Sequence, residues 1–127
     1  MKLLSFNMQY GFGADGVYDL GRAAQVIAAA DIACLQEVDR HWSRSGFDDQ
    51  PALLETLLPE RYCVFGPGFD MDASTVEGGR VVNRRRQFGP MVISRWPILW
   101  SRLHLLPLAP MLDPINTQTC ALEACIA

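Results

Sequence analysis

The chain opens on an alternation of period two: Leu4, Phe6 and Met8 fall on one face and Leu3, Ser5 and Asn7 on the other. This predicts a strand whose second face is polar only toward its carboxyl end. Gly11, Gly13 and Gly16 then punctuate "QYGFGADGVY" as a loop. Period 3.6 follows, with Leu20, Ala23, Ala24 and Ile27 on one face behind Asp19 as N-cap, predicting a helix over 19–30. "DIACLQEVD" is a short, nearly continuous apolar run ending in charge, the pattern of an inner strand. Together these segments make a βαβ unit. A right-handed crossover would set its two strands side by side and parallel, with their carboxyl ends at one edge.

Further along, Pro51 marks a helix start, Leu53, Leu54, Leu57 and Leu58 form a stripe, and Pro59 closes it. "RYCVFG" predicts a third strand, and residues 66–87, with four glycines and mixed charge, a long loop or a flap around a weak hairpin. "FGPMVISRWPILWSRLHLLP" predicts two strands joined near Trp96 and Pro97. "LAPMLDPINTQ" reads as a loop, and "TCALEACIA" as a last alternating strand that stops at Ala127 with nothing to blunt a sheet edge. There is no internal repeat and no low-complexity segment.

Composition narrows the class. The 127 residues are 50% hydrophobic and 20% charged, which suits one soluble globular unit with a real core. A net charge of −3 removes the uniform attraction that non-specific nucleic-acid binders use, while leaving room for a local basic patch. Cys34, Cys63, Cys120 and Cys125 form no C-x-x-C pair and no zinc spacing with histidine, so buried reduced thiols are expected. Asn7 and Gln9 interrupt the first apolar run too early for a signal sequence, and no stretch reaches transmembrane length. The expected location is cytoplasmic, with a trimmed secreted product as the alternative.

On the βαβ unit, Asn7 and Glu37 both come to the carboxyl ends of neighbouring strands, the edge where open α/β sheets build their sites. A carboxylate beside an amide suits a magnesium site on a phosphate ester, because the ion keeps several waters and needs only one or two carboxylates. The alternative is that both residues simply end strands in solvent.

"KLLSFNMQYG", "DIACLQEVD", "RSGFDDQPALL" and "FGPMVISRWPI" resemble successive N-terminal motifs of the endonuclease/exonuclease/phosphatase superfamily of magnesium-dependent phosphoesterases. The resemblance runs from Lys2 to Ile126, and the pairing of S-F-N with L-Q-E is its most specific part. It implies an α/β fold: the N-terminal half of a four-layer α/β/β/α sandwich, a mixed sheet with two helices on one face. It also implies that residues 1–127 are a partial domain, since family domains run to roughly twice this length. Glu37 would be a metal ligand and Asn7 would serve the phosphate and metal site as the catalytic pair, with Mg2+, or alternatively Mn2+, as cofactor. The family's later motifs, a T-H strand end, an Asp-x-Asn pair and a terminal Asp-His, are not matched; Asp113 and Asn116 have the wrong spacing. Pro90 stands where many relatives carry Asn, and Thr119 near where many carry Arg.

The substrate implied is a phosphate ester of nucleic acid, lipid headgroup or inositol phosphate. Arg84, Arg85 and Arg86 are candidate substrate contacts, because arginine recognises phosphate oxygens bidentately; solvated loop charge is the competing reading. The alternative function is a non-catalytic half-domain binding anions or nucleic acid through the Arg80 to Arg86 loop. His41, flanked by Arg40 and Arg44, reads as surface structure, and His104 as a structural histidine facing away from Leu103 and Leu105. Tyr10 and Phe12 could stack on a ligand or pack the loop, and Trp96 and Trp100 read as sheet packing. With a second sheet largely absent, the faces bearing Leu4, Phe6, Met91 and Ile93 would lack a partner layer. The chain would then self-associate through that face or require its missing half.

Overall fold

A computed structural model describes residues 1–107 and 119–127. Leu3–Asn7 (β1) and Ile32–Arg40 (β2) pair in parallel, with Leu3 opposite Ile32 and Asn7 opposite Gln36. Between them runs a helix over Leu20–Ala28 (α1), capped where Asp19 Oδ1 accepts from the Arg22 backbone N–H at 3.1 Å. Its buried residues are Leu20, Ala23, Ala24 and Ile27, the face that the periodicity marks. A second helix, Gln50–Leu57 (α2), starts at N-cap Asp49 with a proline in its first turn. Only Leu54 and Leu58 of the leucine stripe enter the core; Leu53 and Leu57 are exposed, because one helical face of that length has a single neighbour to pack against.

Tyr62–Phe65 (β3), Phe69–Asp72 (β4), Thr75–Glu77 (β5), Arg80–Val82 (β6) and Arg85–Ser94 (β7) complete the first layer and its extension. The sheet order is β1-β2-β7-β3, with β4 following β3 along the same edge of β7. Residues 66–87 thus follow the second expectation, a flap around a hairpin, with a strand of their own added to the main sheet. Phe69 to Asp72 pair with Phe88 to Arg85, and the chain turns back at Gly78 and Gly79, whose φ values of 55° and 76° fit a two-residue hairpin turn. The turn glycines and the distant β7 partner make the ribbon; neither is visible as a hydrophobic period.

Leu4, Phe6, Ala33, Leu35, Met91 and Ile93 point to one face of this sheet and pack with Leu20, Ala24, Ile27, Leu54 and Leu58. The expectation that this face lacks a partner layer is therefore corrected: α1 and α2 cover it. Leu35, Met91 and Ile93 are at most 1% exposed, and each such side chain contributes about 1.5–3 kcal/mol on burial.

The other face meets a second sheet, made by Ile98–Leu105 (β8) and Cys120–Ile126 (β9) in antiparallel pairing. The two sheets approach each other tightly at Gly66, where a Cβ would lie 2.8 Å from Leu122 Cδ1 and 3.0 Å from Leu103 Cδ1. The result is an α/β fold with three layers: two helices on one face, a mixed sheet, and a second sheet behind it. Leu99, Trp100 and Leu105 are exposed on β8, and Trp96 is 38% exposed, so the tryptophans are not buried sheet packing. The four cysteines are free and half-buried, not fully enclosed. Burial pushes the Cys63 thiol up to about 11. No helix among the described residues is long and apolar enough to cross a membrane. Asp113 to Asn116 lie outside the described residues.

Candidate functional site

Asn7 is the last residue of β1 and lies on the face turned away from the helices, exposed, with Gln36 as its partner on β2. Its Oδ1 accepts the Gln9 backbone N–H at 2.9 Å. That bond holds the start of a tight turn in which Gln9 and Tyr10 adopt φ of 45° and 58°, a left-handed conformation that ordinary side chains disfavour. With Oδ1 engaged, Nδ2 is the group that Asn7 has left to offer.

Glu37 needs a different device. Along β2 the core face takes Ala33 and Leu35, so uninterrupted alternation would send residue 37 into the helix layer. Instead Leu35 pairs with Met91 and Val38 with Gly89, three steps on β2 against two on β7, so one extra residue is inserted. Glu37 carries the bulge with φ of 59°. Val38 recovers the core face at 0% exposure, while Glu37 turns to the opposite side and stays half-exposed.

On the partner strand Pro90, which has no N–H to give a ladder, turns to the β3–β4 side of β7 and not to β2. Its carbonyl accepts from the Gly66 N–H at 2.9 Å, beside the break where β3 hands over to β4. Gly89 next to it has no room for a side chain: a Cβ would sit 2.3 Å from Gly66 O. Gln36, Glu37, Phe88, Pro90, Thr119 and Cys120 line a cleft of about 210 Å³ between the sheets.

Behind the cleft, buried Gln50 ties the two strand ends together. Its Oε1 accepts from the Asp39 N–H at 2.9 Å, and its Nε2 donates to the carbonyl of strained Tyr10 at 2.7 Å. Tyr18 donates to Asp48 at 2.7 Å; burial, with that carboxylate, pushes its phenol up to about 12. The R-S-G-F-D-D-Q stretch is therefore a brace between β1, β2 and α2.

Asp39, 0% exposed, receives Arg44 Nε at 2.9 Å, Arg44 Nη2 at 2.8 Å and Ser45 Oγ at 2.9 Å. The Arg44 guanidinium lies 3.5 Å from the Tyr10 ring centroid, 4.6 Å from Trp42 and 5.3 Å from Phe88. Burial works against the charge on Arg44, but its bonds to Asp39 more than offset this and raise its pKa; Tyr10 and Glu37 add weaker attraction. The sequence reading names Arg44 only as a neighbour of His41 and gives no role to it, Asp39 or Trp42. The alternation of β2 broken by a charged residue at 39 was the available signal.

The remaining candidates separate. Arg84 is exposed where β6 leads into β7, and its backbone bonds Ser74 and Ala73. Arg85 pairs with Asp70 at 2.8 Å on one face. Arg86 falls on the other, site-facing side, its Nε donating to His41 O at 3.3 Å and its guanidinium 5.7 Å from the Trp42 ring. The three arginines do not form one patch. His41 Nδ1 meets Arg85 O at 2.7 Å, which fixes it structurally, and His104 pairs with Glu123 at 2.7 Å on the second sheet. Tyr10 packs on Phe88 and Arg44, and Phe12 on Tyr18.

A mixed sheet backed by helices, with an amide ending β1 and a bulged carboxylate on the neighbouring strand β2, defines an α/β protein. The model of the Endonuclease/Exonuclease/phosphatase family matches residues 4–125, and the chain belongs to that family. It is similar in fold to an endonuclease/exonuclease/phosphatase from Beutenbergia cavernae DSM 12333, with a TM-score of 0.68 and 24% identity over 98% of this chain and 34% of the other. It is also similar to an endonuclease/exonuclease/phosphatase family protein from Leptotrichia buccalis C-1013-b, with a TM-score of 0.63 and 19% identity over 100% of this chain and 48% of the other. The chain thus spans between a third and a half of the length of these structures. No curated protein matches it.

Proposed function

We propose that this chain carries the N-terminal part of a divalent-metal phosphoesterase hydrolysing a phosphodiester or phosphomonoester, with Glu37 holding Mg2+ and Asn7 donating to a phosphate oxygen. The observation that carries this reading is the bulge, which spends a left-handed glutamate to turn a carboxylate out of the core, on the strand that neighbours Asn7. A half-exposed carboxylate next to an amide fits Mg2+, and Mn2+ by the same oxygen chemistry. Among the described residues no three His, Cys, Asp or Glu side chains gather as a metal cluster. Glu37 therefore suits a largely hydrated ion. Bound there, the ion would supply charge stabilisation to the phosphoryl oxygens. Asn7, its carbonyl engaged by Gln9, orients the ester through Nδ2.

Residues 1–127 are read as a partial domain, the general base and remaining ligands coming from a C-terminal half, so the isolated chain is expected to show no turnover. The shares of 34% and 48% of the compared structures support this. Free cysteines suit a reducing compartment, in line with a cytoplasmic protein. The substrate class stays at phosphate ester. Arg86, on the site side, is the best placed of the three loop arginines to meet it; the separation of Arg84 and Arg85 weighs against a continuous nucleic-acid patch.

Titrating Mg2+ into the chain by calorimetry and NMR tests the reading. Affinity on the order of millimolar is expected, because one carboxylate leaves most of the coordination sphere to water. Glu37→Gln should abolish it, and Asn7→Ala should leave it in place. Metal binding indifferent to Glu37→Gln would defeat the assignment.

A further inference from the structure

We propose that Arg44 is a phosphate-contacting residue of this site and that Asp39 is the group that positions it; the proposal rests on the phosphoesterase reading and adds its cation. Arg44 gives only its Nε–Nη2 edge to Asp39. The Nη1–Nη2 edge carries two further parallel N–H groups, and among the described residues nothing accepts from Nη1. That edge is the geometry that takes two oxygens of one phosphate. The guanidinium is held in place, because Asp39 is 0% exposed and also held by Ser45, while the Tyr10 ring centroid lies 3.5 Å from its central carbon. It is still reachable, with its side chain 37% exposed.

Its location is set by Phe88. That ring is 5.3 Å from the guanidinium and lines the same cleft as Glu37. Tyr10, on the other side, ends the turn that Asn7 holds. An ion pair with one wholly buried carboxylate is a poor way to stabilise a fold, since desolvating that charge costs much of what the pairing returns. A cation mounted by a buried carboxylate, stacked on aromatic rings and left with one free bidentate edge is instead suited to holding an oxyanion without reorganising.

The test uses inorganic phosphate with no metal present, followed through the Arg44 Nε–Hε resonance in NMR spectra. The expected result is a saturable shift of that signal at phosphate concentrations on the order of millimolar. Asp39→Asn with Arg44→Gln removes both charges while keeping a polar side chain at each position, and should weaken phosphate binding about tenfold or more. Arg44→Lys keeps the charge and loses the fork, and should also weaken it. Glu37→Gln should leave phosphate binding at Arg44 intact or tighter while removing the Mg2+ response, so the cation and the metal reading fail separately. A motionless Arg44 signal in the wild type overturns the proposal, as does unchanged phosphate affinity in either folded Arg44 variant. Should both variants unfold, the wild-type titration alone decides.

Discussion

Replacing Glu37 by glycine should stabilise the fold, although glycine inside a strand normally weakens it. The backbone at Glu37 has φ of 59°, where an L-residue pays ~1–2 kcal/mol that glycine avoids. Glycine gives back ~0.5–1 kcal/mol through the greater freedom that it loses on folding. The balance is a gain of about 0.5–1 kcal/mol, or roughly 2–5 °C in Tm for a chain of this size. Loss of the carboxylate also removes its attraction to Arg44, so the comparison should be made against Glu37→Gln, which loses the same charge but keeps the strain. Urea and thermal melts of the two variants at neutral pH isolate the backbone contribution. Glu37→Gly should be the more stable of the pair and no better at binding metal. If Glu37→Gln equals or exceeds it, the bulge is relaxed and the argument that strain is held there for the sake of the carboxylate collapses.

Gly89→Ala should be severely destabilising, by about 3 kcal/mol or more, because its Cβ would lie 2.3 Å from Gly66 O and 2.9 Å from Pro67 Cα, both backbone atoms that cannot rotate aside; denaturant melts measure it. Gln50→Leu leaves the Asp39 N–H and the Tyr10 carbonyl without partners, a loss on the order of 2–5 kcal/mol, and amide exchange at Asp39 should accelerate with it. Tyr18, whose pKa is pushed up to about 12, holds its proton more tightly folded than unfolded. Its contribution is therefore whole below pH 10 and lost as pH climbs toward 12. The stability gap between wild type and Tyr18→Phe should narrow over that interval, and a constant gap would contradict the shift.

Much of the architecture is local and therefore legible. The period of two in β1, the Asp19-capped period of 3.6 in α1 and the apolar run of β2 each report which face is buried, because burial is imposed on every residue of the element at once. The order of those elements alone puts Asn7 and Glu37 on neighbouring parallel strands. The same reasoning could not show how Glu37 reaches the site, since strict alternation puts it with Ala33 and Leu35 in the core. Only pairing with β7, far downstream, admits the extra residue that turns it round. The pairing of residues 69–72 with β7 and the partial use of the leucine stripe were hidden for the same cause: each depends on which neighbour arrives, not on the segment's own pattern. Arg44 is the sharpest case. In sequence it is one charge in a polar loop; its role follows from a buried Asp39 five residues back and from rings supplied by three separate stretches of chain, a convergence that exists only once the sheet has formed.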